Sequence, residues 1–152
     1  IGGKQSKQVL STLHLHLESS SDRTKPTESV PVYREKPVWV NVQKQPFVTE
    51  ASVARASVVD EVGGYSLRIQ FDGDGKSLLE QCTAGNRGRR IAIFSQFAKQ
   101  LKDYRWLAAP VISHRIADGV LVFTPDATRE EAEEIAAGLN NVAKKTHTWL
   151  DK

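Results

Sequence analysis

The stretch that decides the fold is TAGNRGRRIAIF, residues 83–94, where three arginines and two glycines lead into an apolar run. A glycine-rich basic loop can cradle phosphates, but such a loop precedes a helix, whose N-terminal amides then face the anion. Here the glycines follow a helical pattern and precede a strand. "DGDGKSLLEQCTAG", residues 72–85, opens on an aspartate and places Leu78, Leu79 and Cys82 on one face, with Gly85 at its end. "RRIAIFSQF" is β-rich. Gly85 and Gly88 therefore read as the joint between a helix and a strand. Arg87, Arg89 and Arg90 solvate the start of that strand. No aromatic residue interleaves the basic run, so the stretch lacks the stacking pattern of a nucleic-acid site.

Upstream of this joint the pattern is mostly strand. Residues 1–8 are polar and read as loose. "VLSTLHLHLE" alternates, with Leu13, Leu15 and Leu17 on one face and His14 and His16 on the other, the period of a half-buried strand at 9–18. A polar loop follows at 19–29. "VPVYREKPVWVNVQ", 30–43, gives one or two short strands, and Pro31 and Pro37 favour edge positions. Residues 49–56 suit a helical turn. "SVVDEVGGYSLRIQFD", 57–72, reads as a hairpin turning at Gly63-Gly64.

Downstream, residues 98–105 suit another helical turn, and "WLAAPVI" and "RIADGVLVF" read as strands. The last element is the clearest. Thr128 and Glu131 make a capping box, and Ala132, Ile135, Ala136, Leu139, Val142 and Ala143 repeat at helical spacing. Hairpins imply antiparallel pairing, and two amphipathic helices can cover one face of a sheet. The expected fold is α+β: a two-layer sandwich with a mainly antiparallel sheet and helices near 75–85 and 128–145 on one face.

Composition narrows the chemistry. The 152 residues suit one domain, with 21 basic against 18 acidic side chains, too balanced to imply a polyanion partner. A chain this long buries roughly 68–70% of its unfolded surface without needing a metal or disulfide. The single cysteine, Cys82, forbids an internal disulfide and reads as buried and inert. His14 and His16 could supply two metal ligands, but only His114 and His147 remain, and no spacing brings them together; the histidines read as an exposed polar strand face. "DGDGK" fails as a calcium loop, because the twelfth residue from Asp72 is Thr83 where a glutamate is needed. There is no G-x-S-x-G elbow, and Glu130, Glu131, Glu133 and Glu134 read as a solvated helix start. No catalytic set, cofactor or metal is expected. No run approaches the ~20 apolar residues of a membrane span. The chain has no methionine, so it reads as a piece of a longer precursor. Any signal or membrane anchor would then lie upstream of Ile1.

The succession of motifs resembles the head part of the first periplasmic domain of SecD and SecDF, the accessory of the Sec protein-export channel. The residues that carry it are Thr83, Asn86, Gly88, Arg89, Arg90, Ala92 and Ile93, then Ala109, Pro110, Val111, Ile112, Ile116, Gly119, Phe123, Thr124, Glu131, Ala132 and Leu139. "FVTEASVARASVV" and "YSLRIQFDGDGKSLLEQCT" match upstream. The resemblance covers roughly residues 46–143, within a head-like domain at 46–145. Residues 1–45 form an unmatched segment packed on the same domain, and 146–152 a C-terminal tail. Residues 95–105 replace a short turn with a longer segment. There Phe97, Leu101, Tyr104, Arg105 and Trp106 are the expected protein-binding residues, ringed by Lys99 and Lys102. The competing reading has Phe97 and Trp106 plugging the end of the sheet. What the resemblance implies is a non-enzymatic module outside the cytoplasm that binds a polypeptide or an envelope protein. The alternatives are a structural domain of an envelope protein and a basic-loop nucleic-acid binder.

Overall fold

The computed structural model describes residues 9–19 and 25–150, with side chains through residue 146. The polar start at 1–8, residues 20–24 of the expected loop and the His147 side chain lie outside the described residues. The strands are β1 (His14–Leu17), β2 (Thr27–Val32), β3 (Val38–Gln43), β4 (Val48–Thr49), β5 (Val53–Glu61), β6 (Gly64–Phe71), β7 (Ile91–Phe97), β8 (Asp103–Ala108) and β9 (Val120–Phe123); the helices are α1 (Gly73–Gly85) and α2 (Arg129–Leu150). All strand pairs are antiparallel, and with the two helices they make the expected α+β sandwich. Among the described residues the strands divide into a four-stranded sheet (β4-β1-β7-β8), a three-stranded sheet (β5-β6-β9) and the β2–β3 hairpin.

One core unites both helices with both larger sheets. Leu79 of α1 and Ala132, Ile135, Ala136 and Leu139 of α2 meet Leu13, Leu15, Ile91, Ile93, Leu67, Ile69 and Phe123. Strand alternation then turns Ala92 to the opposite face of the four-stranded sheet. There the hairpin docks, burying Val30, Val32, Val40 and Val42 against Ala92 and Ala109. A lone hairpin is marginal in water; each buried valine stabilises the docked state by about 1.5–3 kcal/mol.

Local chemistry sets the element ends. The Asp72 carboxylate accepts from Gly75 N at 2.9 Å and starts α1. Thr128 N donates to Glu131 Oε1 at 2.9 Å and Glu131 N donates to Thr128 Oγ1 at 3.1 Å, the reciprocal capping box expected for α2. Thr83 is buried and pins the loop after β8 to α1, donating to the Leu79 carbonyl and accepting from Ile116 N at 2.9 Å.

Several expectations are corrected. Leu78 is exposed, because the buried line of α1 runs through Gly75, Leu79 and Thr83. The hairpin turn is Val62-Gly63, with φ +84° at Gly63, while Gly64 already pairs with Glu61. The helical turn expected at 49–56 contracts to Glu50–Ser52, because Val53 onward pairs with β6; that at 98–105 contracts to Lys99–Leu101, because Asp103 onward pairs with β7. The strand at 9–18 contracts to β1. The strand expected over "WLAAPVI" is the end of β8, which stops before Pro110. That over "RIADGVLVF" begins only after Gly119, which has φ +74°. With no glycine or proline after Gly138, α2 runs on to Leu150 instead of ending in a tail at 146.

The segment before β1 crosses α2 at Gly138. A Cβ there would lie 2.7 Å from Ser11 N and 2.8 Å from the Leu10 carbonyl carbon. Helix propensity alone makes Gly→Ala stabilising by about 1 kcal/mol. Overpacking reverses the sign: Gly138→Ala is expected to lower stability by about 1–3 kcal/mol, read from the urea midpoint. An unchanged or raised midpoint would show that the crossing is not tight.

Candidate functional site

The hairpin covers only part of the outer face of the four-stranded sheet. Phe94, two residues beyond Ala92 on β7, points the same way but escapes cover. Register puts His14 on one side of it and Trp106 on the other. The rings form a continuous set: Phe94–Trp106 centroids are 4.9 Å apart, His16–Trp106 5.2 Å, His14–Phe94 6.0 Å and Phe94–Tyr104 6.5 Å. These side chains floor a cleft of about 530 Å³, whose wall is Glu28, Pro31 and Arg34. Tyr104 is 71% exposed, the most accessible of them.

The five expected binding residues separate. Tyr104 and Trp106 stand on the cleft floor. Phe97 is wholly buried in the main core, as the plugging alternative had it, so it offers no contact surface. Arg105, one residue from either aromatic, also lines the cleft, but its guanidinium turns to the opposite face. Its Nη1 and Nη2 donate to the two carboxylate oxygens of Glu131 at 2.8 and 3.1 Å, Nη1 also donates to the Asp126 carbonyl at 3.0 Å, and its guanidinium lies 5.1 Å from the Phe97 ring centroid. Leu101 is half-buried and lines a different cleft with Val9, Leu10 and Ala98, rimmed by Lys99 and Lys102. Ala98, Gln100 and Leu101 there hold φ of 70°, 61° and 54° without being glycine. The period-two pattern could have flagged Phe94 as a neighbour of the histidines; the site's wall comes from β2, which no local pattern assigned to this face.

Charges fix the frame of the cleft. Arg34, at the end of the hairpin, donates from N and Nε to Asp126 Oδ2 at 2.9 and 3.0 Å. Burial pushes the Asp126 carboxyl up, but the hydrogen bonds from Arg34 outweigh it and hold it below its ordinary value. Arg105 holds Glu131 down to about 2. The hairpin, β8 and the start of α2 are thereby tied at one corner. His16 corrects the expectation of an exposed histidine face: it is buried under the hairpin, and Nδ1–H donates to the Gln43 carbonyl at 2.7 Å. Burial lowers its pKa below 6.5, so the ring is neutral at pH 7. Burial also raises the Cys82 thiol to about 11, leaving it protonated. Among the described residues no three His, Cys, Asp or Glu side chains converge as a metal site.

The opening arginine stretch is the joint its order suggested. Arg89 Nη1 donates to Asn86 Oδ1, Arg90 Nη1 to the Ala109 carbonyl, and the Gly88 turn takes φ +90°. From this joint to α2 the chain follows one established pattern: the family described as SecDF, P1 head subdomain, matches residues 27–143. The chain belongs to this family. The match begins at Thr27 and takes in the β2–β3 hairpin, which the motif resemblance had left out. Protein translocase subunit SecDF of Thermus thermophilus is 34% identical over 97 residues, 63% of this chain but 12% of that protein. Two solved structures share the fold at TM-score 0.60. One is of a membrane component, SecDF, that enhances protein export (22% identity, 88% of this chain and 63% of that one); the other is of SecDF in its super-membrane-facing form (20% identity, 92% and 21%). The chain thus spans a small part of the SecDF protein it matches. Among the described residues no helix is long and apolar enough to cross a membrane.

The Glu131 carboxylate yields a signed prediction. Its folded pKa is depressed from 4.5 to about 2, so its contribution is complete above about pH 4.5 and lost as pH falls towards 2. Glu131→Gln is expected to cost about 1.5–3 kcal/mol at pH 7. It should also flatten the acid loss of stability within that window, read by urea unfolding across pH. Parallel curves for both proteins would contradict the assignment.

Proposed function

We propose that this P1 head domain is a non-enzymatic, extracytoplasmic module that binds polypeptide during protein export, and that the aromatic cleft is where it does so. Family membership supports the export setting. The observation that carries the site is the uncovered half-face itself: Phe94, Tyr104 and Trp106 are close-packed rings left accessible beside a hairpin that buries the rest of the same face. Aromatic side chains offer large contact area at low entropic cost, the property of interface anchors. The cleft is bordered by both signs of charge, Glu28 and Arg34, which suits chains of mixed sequence more than a polyanion. Of the residues expected from sequence, Tyr104 and Trp106 stay in the proposed site. Phe97 and Arg105 support it from within, and Leu101 lies outside it. Residues 25–45 belong to the same working unit, because the hairpin forms the wall.

Binding of a fluorescently labelled unfolded polypeptide, followed by anisotropy, tests this reading. Tyr104→Ala with Trp106→Ala is expected to weaken binding by at least about tenfold. Val62→Ser, on the exposed turn of the β5–β6 hairpin, should leave it unchanged. Far-UV circular dichroism controls for folding. If the folded wild type binds no unfolded chain, the domain is a structural part of an envelope protein instead.

A further inference from the structure

We propose that β2 takes up an extended polypeptide as an added strand along its free edge; this rests on the polypeptide-binding reading and states how the binding is made. Among the described residues β2 pairs with β3 alone. Register fixes which main-chain groups face the other way. In an antiparallel pair, residues that exchange hydrogen bonds alternate with residues that exchange none. Lys44 N donates to the Pro26 carbonyl at 3.0 Å. Stepping by two from that pair, Glu28–Val42, Val30–Val40 and Val32–Val38 are the hydrogen-bonded partners. The far side of β3 agrees with this phase. The Asn41 carbonyl accepts from Ser19 N at 2.7 Å, and the Gln43 carbonyl from His16 Nδ1 at 2.7 Å, both pointing away from β2. By the same alternation Thr27, Ser29 and Pro31 direct their main-chain groups outward from β2. The edge therefore offers the N–H groups of Thr27 and Ser29 and the carbonyls of Thr27, Ser29 and Pro31. None of these has a partner among the described residues.

This edge borders the uncovered part of the aromatic face, since Glu28 and Pro31 form the cleft wall above Phe94, Tyr104 and Trp106. A strand laid along it would turn the two-stranded sheet into a three-stranded one. Its inward side chains would continue the row of Val30 and Val32 and reach the rings. Main-chain pairing supplies affinity that tolerates many sequences, while the rings select apolar side chains at alternate positions. The occupant is thus an extended segment with alternating apolar residues; a folded surface or a helix has no unpaired main chain to give. Pro31, lacking an N–H, confines pairing to a short stretch, a device that keeps an edge from templating long sheets.

The test uses the whole chain and a labelled peptide of alternating valine and threonine, with two copies N-methylated, one at every valine and one at every threonine. In a strand, successive N–H groups point to opposite edges, so with the valines on the rings and the peptide antiparallel to β2, as β3 is, only one copy can pair with β2. One copy is expected to lose binding by at least about tenfold and the other to retain it. Ser29→Pro, which removes an outward N–H without touching the β3 pairing, is expected to weaken the unmodified peptide by a similar factor. If the wild type binds while both methylated copies and Ser29→Pro bind equally well, strand addition is wrong and the aromatic cleft stands alone. If the wild type binds nothing, both readings fall.

Discussion

The structure depends on the two-sided burial of β7. Alternation sends Ile91, Ile93, Ser95 and Phe97 towards the helices and Ala92, Phe94 and Gln96 the other way. A strand buried on one face only would leave the hairpin nothing to dock on. The size of each outward residue then decides how far the hairpin reaches. Ala92 is small enough for the valines of β2 and β3 to close over it, and Phe94 stays outside them. The same strand therefore makes a core layer at one end and the floor of an open cleft at the other.

Two ion pairs hold that arrangement at its corner. Arg34 brings the hairpin end to Asp126, whose own N–H donates to the Leu107 carbonyl on β8. Arg105, on the edge strand β8, reaches Glu131, which also caps α2. An exposed pair contributes little by itself, and Arg34 is more than half exposed. Arg105 is not: its side chain is 9% exposed, its hydrogen bonds go to a carboxylate and a carbonyl, and its guanidinium lies over a ring face. The α2 cap, the sheet edge and the cleft wall are thus mechanically one unit.

Much of the helical structure was legible in sequence because its signals are local. Asp72, Thr128 and Glu131 act within a turn of themselves, and the α2 stripe is a single periodic pattern. The succession from Thr83 to Leu139 was legible as a family pattern because the joint at Gly88 and the buried Thr83 serve the same packing. What the sequence hid is long-range. His14 and His16 alternate as any exposed strand face would, and only the docked hairpin buries His16. Phe97, Tyr104, Arg105 and Trp106 look like one aromatic-basic cluster along the chain, yet strand parity sends them to opposite faces. Phe94 completes the cleft but sits in an ordinary apolar run, and β2 reaches it from more than sixty residues away.

The central claim is that the half-covered outer face of the β7 sheet, with the β2 edge beside it, is the working surface of this P1 head domain. Amide and indole chemical-shift mapping of the isotope-labelled chain, titrated with an unfolded polypeptide, tests it most directly. The account predicts that the largest shifts fall on Thr27, Ser29, His14, Phe94, Tyr104 and the Trp106 indole. Shifts gathered instead on the outer faces of α1 and α2, or on residues 98–102, would contradict it.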